Sequence, residues 1–341
     1  MTSETVFVTG ATGYIAGHII LQLLNKGYKV VGQVRSVSKG EILAKEVNNA
    51  NFSYEVVEVL EKEGAFDEVL LKHPEVTLFM HTASPVQFSQ VDHEKNTLIP
   101  AINGTKNVLA SIHKVAPQIK RVIVTSSVVA AATFAELADP NFIGGEDSWS
   151  SITYEQAKTN DASTAYAGSK KFAEQAAWEF VKQQKPTFKL TTVLPSYVFG
   201  PQAFEFGVKD LNHSSEFLVG ALKLTKDSKI PAAESICVDV RDVANAHVKA
   251  LESNEAAGKR IVVSNSRFVY GQFVDIIRRN FPNYTKQLPF VETLPSDYFA
   301  NYNRFGDSES RRILDIEYID FEKTIIDHIT QVLAFQFIQV Y

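Results

Sequence analysis

Cysteine is nearly absent: Cys237 stands alone in 341 residues. No intrachain disulfide can form, which fits a reducing compartment, and the simplest reading of the lone thiol is a small buried hydrophobe. No basic run stands out and the formal net charge is −5, so nucleic acid and anionic membranes find no electrostatic handle. No uncharged apolar stretch approaches the ~20 residues of a membrane span. The first residues lack the basic region of a secretory leader. The expectation is a cytoplasmic protein with no nucleic-acid and no membrane partner. Among eight histidines there is no HExxH or other close ligand pair, so no metal is expected; His18, His81, His113 and His247 read as packing or surface residues. The GxSxG elbow of serine hydrolases is missing as well. Neither an internal repeat nor a low-complexity linker is visible.

What is present is alternation. The chain is 45% hydrophobic, ample for a large core, and at ~150 residues per domain its length suggests two domains. TVFVT, YKVVGQV, FSYEVV, VTLFMHTA, RVIVTSS and FKLTTVLP read as buried strands. Between them lie helical patterns at 14–26, closed by Gly27, and at 64–72, 96–115 and 163–184. Strands this apolar, each followed by a helix, imply an α/β fold: a Rossmann-type, doubly wound parallel sheet. Beyond Pro195 the pattern loosens. Helices are expected at 204–227, 243–251 and 270–280 and a strand at RIVVS. The division expected is a cofactor-binding domain over 1–195 and a smaller, mainly substrate-binding domain over 196–341, some of whose segments return to the first. The closing VLAFQFIQVY reads as a docked tail, with a partner surface as the alternative.

Two short motifs carry the chemistry. TGATGYIAG places Gly10, Gly13 and Ala16 between a strand and a helix. The first glycine permits the turn, the second lets backbone approach a pyrophosphate, and the alanine allows close helix–sheet packing. The helix N-terminus offers free N–H groups to phosphates. The next strand ends Gln33-Val34-Arg35-Ser36 with Lys39 beyond. The acid that would bond a ribose 2′-hydroxyl is missing, whereas Arg35, Ser36 and Lys39 suit a 2′-phosphate. The expected cofactor is NADPH, unless Arg35 and Lys39 are merely solvated charges. The second motif is YAGSK: Tyr166 and Lys170 share a helix face, and a cation there would lower the phenol's pKa. Ser127, at the end of the fifth strand, could bond a substrate carbonyl while Tyr166 delivers a proton. Glu174 and Glu179 on the same helix read as a solvated face.

These motifs, with VRSVSK, HTASPV, IPAINGTKNVL, LPSYVFGPQ and DVRDVANAHV, span most of the chain. They resemble the extended short-chain dehydrogenase/reductase superfamily and, within it, the dihydroflavonol-4-reductase-like branch that holds the yeast NADPH-dependent methylglyoxal/3-methylbutanal reductases and related ketoreductases. The resemblance implies that Ser127, Tyr166 and Lys170 are catalytic. It implies that Gly10, Gly13, Tyr14, Ile15 and Ala16 form the pyrophosphate loop, with Arg35 and Lys39 at the 2′-phosphate. It places Ala83, Ser84 and Pro85 beside the cofactor, with Pro195, Ser196 and Val198 near the nicotinamide. Relatives often carry an acid near the adenine where Val59 follows Glu58, an aromatic where Val128 stands, and Phe where Val86 stands. Val86, Val128, Phe134 and Tyr197 are therefore the candidate substrate pocket. The expected protein, a monomer or homodimer, reduces small aldehydes, 2-oxoaldehydes or ketones. The alternatives are an NAD-dependent sugar-nucleotide epimerase or dehydratase, and a non-enzymatic NADPH-sensing protein.

Overall fold

A computed structural model describes residues 4–84 and 92–338, with backbone alone for 336–338. The first half runs β1 (Thr5–Thr9), α1 (Tyr14–Asn25), β2 (Lys29–Val34), α2 (Val37–Val47), β3 (Phe52–Val56), α3 (Asp67–Lys72), β4 (Val76–His81), α4 (Ile99–Val115), β5 (Arg121–Thr125), α5 (Phe134–Ala138), α6 (Tyr154–Thr159), α7 (Ala162–Gln184) and β6 (Lys189–Pro195). There follow β7 (Tyr197–Phe199), α8 (Glu205–Lys209), α9 (His213–Val219), β8 (Glu234–Asp239), α10 (Val240–Glu252), β9 (Arg260–Val263), β10 (Ser266–Val269), α11 (Tyr270–Asn280), α12 (Ser308–Leu314) and α13 (Phe321–Ile338).

Seven strands form one sheet in the order β3-β2-β1-β4-β5-β6-β9, every neighbouring pair parallel. Alternate side chains of β1 show the double winding. Val6 and Val8 pack in a core with Ile19 and Leu23 of α1 and Val243 of α10. Phe7 points the other way, into a core with Phe66, Phe79, Leu109 of α4 and Ala177 of α7. This is the two-residue period of a strand buried on both faces. The fold class is thus an α/β, Rossmann-type sheet. β9 comes from the far side of β7 and β8, so the sheet is completed by the C-terminal half. A second sheet, β10-β8-β7, pairs β10 antiparallel and β7 parallel to β8; its core includes Phe199, Phe268 and Phe273 with Ile325 and Ile329 of α13.

Four helices differ from expectation, α10 by opening at Val240 rather than at 243. The segment 204–227 is not continuous: α8 ends at Lys209, α9 begins at His213, and a tight turn follows over Gly220–Lys223. Between α8 and α9 the Asn212 side-chain oxygen accepts from Ser215 Oγ and Gln202 Nε2, local polar bonding that competes with a helix ladder. α3 starts only at Asp67, because Gly64 takes the left-handed region (φ +70°). The long helix ending at Val115 starts earlier than Asn96, with a π turn over Glu94–Leu98; Pro100 has no N–H to donate, and the ladder changes spacing beside it. At the other end of the chain, Val332 and Leu333 pack into the second core within α13, while 339–341 lie outside the described residues.

Among the described residues no helix is long and apolar enough to cross a membrane.

Candidate active site

β1 sits where the strand order reverses, with β2 and β3 on one side and β4 onward on the other. In open α/β sheets the crevice at the carboxyl ends of such strands binds ligands. A cleft of about 1410 Å³ opens there.

Its floor is the turn between β1 and α1. Gly10 has φ +64°, and a Cβ on it would stand 2.9 Å from Ala83 Cα; only glycine lets this turn press against the segment after β4. The Gly10 N–H donates to Gln33 Oε1 at 2.9 Å, and Gln33 Nε2 donates onward to the carbonyls of Val34 and Val57. Buried Gln33 therefore fixes the turn to β2 and the end of β3, a role invisible in the motif itself. α1 starts from Gly13 with no side-chain cap and no acid in its first turn, leaving its positive end to the cleft wall of Gly10, Thr12, Gly13, Tyr14, Ile15 and Ala16. The Tyr14 hydroxyl is turned into the protein and donates to the Gly200 carbonyl at 2.6 Å. Burial and nearby Asp239 hold its pKa well above the usual tyrosine range. Arg35 and Lys39 line the same cleft. Ser36 is not among its lining residues; its Oγ caps α2, accepting from the Lys39 N–H. Val59 is 48% exposed and off the cleft wall, which Glu58, Leu60 and Glu61 form instead.

Further along stand Ala83, Ser84, Ser127, Tyr166, Lys170, Pro195, Ser196 and Val198. Pro85 and Val86 lie outside the described residues. Ser127 follows β5 and caps a short turn over Val128–Ala130; it hydrogen-bonds the Tyr166 hydroxyl. Lys170 Nζ lies 5.9 Å from the centre of the Tyr166 ring and makes no hydrogen bond or ion pair among the described residues. Burial pushes Tyr166 up to about 12, the Ser127 bond partly opposing it, and pushes Lys170 down to about 8, with Glu174 opposing. Burial is thus the largest influence on the phenol in the protein alone. Ser196 Oγ is buried without a hydrogen-bond partner among the described residues. His81, at the end of β4, also lines the cleft. Thr9 Oγ1 accepts from the Thr82 and Ala83 N–H groups and so donates to His81 Nδ1. Burial drives this ring down to about 3, with Lys170 adding to the effect. His113, by contrast, is exposed.

Val128, Val129, Phe134, Leu137 and Tyr197 also line the cleft. Tyr197 is both core and wall, stacking on Phe199 and Phe217. Among the described residues no cluster of His, Cys, Asp or Glu could hold a metal ion.

Glu174 overturns its expectation as a solvated side chain. It is 1% exposed, and its carboxylate accepts from Ser126 Oγ (2.6 Å), Thr192 Oγ1 (2.8 Å), Arg260 Nε (2.7 Å) and Trp178 Nε1 (3.3 Å). Glu179 bears out its reading, accepting a hydrogen bond from Gln183 Nε2 at the surface.

A family model described as "NAD dependent epimerase/dehydratase family" matches residues 6–264. The chain is 46% identical to a putative NADPH-dependent methylglyoxal reductase of Candida albicans, over 98% of this chain and 99% of that one. The solved yeast methylglyoxal/isovaleraldehyde reductase complexed with NADPH superposes with a TM-score of 0.93 at 40% identity, covering 97% of this chain and 99% of that one. A reductase engineered to attenuate substrate inhibition in asymmetric catalysis gives the same TM-score at 54% identity, covering 97% and 100%.

Proposed function

The chain belongs to the NAD dependent epimerase/dehydratase family, and from that premise we propose that it works as an NADPH-dependent carbonyl reductase with Ser127, Tyr166 and Lys170 as its catalytic residues. The observation that carries the residue assignment is the convergence of these three in one cleft with the glycine turn, Arg35 and Lys39. The cleft fits the cofactor: an uncapped helix start faces it, Gly10 and Ala83 approach too closely for a side chain, and Ser196 presents a hydroxyl with no hydrogen-bond partner among the described residues. Gly10, Gly13, Ile15 and Ala16, with the Tyr14 backbone, would hold the pyrophosphate. Arg35 and Lys39 would take the 2′-phosphate, Ala83 and Ser84 the middle, and Pro195, Ser196 and Val198 the nicotinamide end.

When bound, NADPH supplies the hydride. The protein's own residues manage the oxygen. Ser127 bonds the carbonyl oxygen and orients it toward Tyr166. Tyr166, kept protonated by burial, donates its phenolic proton to that oxygen. Lys170 then faces the phenolate and stabilises it with its charge. The apolar wall of Val128, Phe134 and Tyr197 supports small uncharged aldehydes, 2-oxoaldehydes or ketones as substrates. The working unit is taken as a cytoplasmic monomer or homodimer. An epimerase is not favoured, since the named relatives above 40% identity are reductases and Arg35 stands where an NAD-binding acid would. A purely NADPH-sensing role leaves the Tyr166–Lys170 pair unexplained.

The test is NADPH consumption, followed by absorbance, across a panel of aldehydes and ketones. Tyr166→Phe is expected to lower kcat by about a thousandfold, within the 10²–10⁴ typical of a positioned acid, with NADPH affinity unchanged. Undiminished turnover would remove Tyr166 from the mechanism.

A further inference from the structure

We propose that Glu174, paired with Arg260, is a positioning residue for this reductase: it ties the serine-bearing end of β5 to the helix that carries Tyr166 and Lys170, and holds a fixed negative charge one helical turn behind Lys170. The inference rests on the catalytic assignment above.

The geometry is unusual for a carboxylate on a helix. Glu174 follows Lys170 by four residues on α7, so the two share a face, and that face points into the protein. Four elements meet at the carboxylate. Ser126, the neighbour of Ser127, comes from the end of β5; Thr192 from β6; Arg260 from β9; Trp178 from the next turn of α7. Arg260 is fixed in turn. It lies 3.9 Å over the Trp149 ring and donates to the carbonyls of Glu146 and Ser148. Three of the four donors thus come from strands or strand ends outside α7, and the Ser126 bond joins α7 directly to the strand end that presents Ser127.

Such a pair is costly as a mere staple. Burying two charges often stabilises no more than well-packed apolar residues would. A catalytic use is visible in the charges that face Lys170. Tyr166 stands on its own helix, neutral His81 at the end of β4, and Glu174 behind it. Glu174 opposes the loss of charge that burial imposes on Lys170. Without it the ammonium would be harder to retain when the phenolate forms.

The test compares wild type with Glu174→Gln, which preserves shape and most hydrogen bonds, and with the double variant Glu174→Met/Arg260→Met, which replaces the pair by apolar volume. Readouts are kcat and KM for NADPH and for an aldehyde that the wild type reduces, each from pH 6 to 10, alongside melting temperature. The expected result is a kcat lower by about tenfold in both variants, KM for NADPH within about twofold, and an alkaline fall in kcat beginning about one pH unit earlier. A double variant as stable as wild type sharpens this, because packing has then been restored and the charge has not. If both folded variants keep wild-type kcat and an unmoved alkaline limb, Glu174 is structural and the proposal is overturned. Should the double variant fail to fold, the pH limb of Glu174→Gln alone decides. Wild-type turnover of the aldehyde separates this outcome from a failure of the reductase assignment itself.

Discussion

Burial drives the two titrating groups of the site in opposite senses, and the consequence is directional. A phenol pushed up to about 12 stays protonated across the working range, the resting state a proton donor needs. An ammonium pushed down to about 8 loses its charge as pH rises through that value. Carbonyl reduction is therefore expected to be level from pH 6 to 7.5 and to fall by up to about tenfold per unit above pH 8, the slope of one deprotonation. Lys170→Arg, whose cation does not titrate there, should flatten that limb at a lower plateau. The measurement is kcat against pH at saturating NADPH. At the other end of the cleft, Arg35→Glu should raise KM for NADPH about 100-fold, the loss of paired charge-assisted bonds and their replacement by repulsion. It should leave KM for NADH within a few-fold, as parallel titrations of the two cofactors would reveal.

Elements were legible where the information is local. The spacing of Tyr166 and Lys170 lies within one helix, and the glycine turn lies between adjacent elements, so both could be read from neighbouring letters. Gln33 and Glu174 could not. Gln33 serves Gly10 from 23 residues away, and Glu174 meets Arg260 across 86; nothing in the flanking residues marks either. The small sheet and the broken 204–227 segment were hidden for the same reason, their bonds being long-range or made by side chains. α1 gives a further instance. Its Tyr14, Gly17 and His18 form one face that grips the chain after β7: Tyr14 bonds the Gly200 carbonyl, His18 Nε2 lies 2.9 Å from the Pro201 carbonyl, and a Cβ on Gly17 would stand 2.9 Å from that of Ala203. Gly17→Val is expected to destabilise the protein by about 1–3 kcal/mol, the usual cost of overpacking. Denaturant unfolding would measure it. Because the same helix opens at the glycine turn, NADPH affinity should fall as well.

Across the described residues burial lowers four imidazoles, and His81, His247 and His328 further than His18. Burial takes His81 down to about 3 and His247 and His328 down to about 4. A histidine whose folded pKa is depressed favours folding above its unfolded value near 6.5. That contribution is lost as pH falls below it, because the unfolded chain binds the proton first. At pH 5 each of His81, His247 and His328 would have lost about 2 kcal/mol, or roughly 6 kcal/mol together, comparable with the whole stability of many domains. Urea unfolding at pH 7.5 and pH 5 should show the midpoint collapse, and His247→Gln should blunt it. A different consequence follows from β9 closing the large sheet beside β6. During synthesis the chain passes through β1 to β6 long before residues 260–263 emerge. Until then β6 presents an open edge, and Glu174 sits beneath it with no Arg260 to neutralise it. The half that carries the glycine turn is the first to be made, yet it waits for the second half to be covered. A ribosome stalled between the two would leave a sticky, charged seam, which makes that interval the molecule's most exposed moment to chaperones and to aggregation.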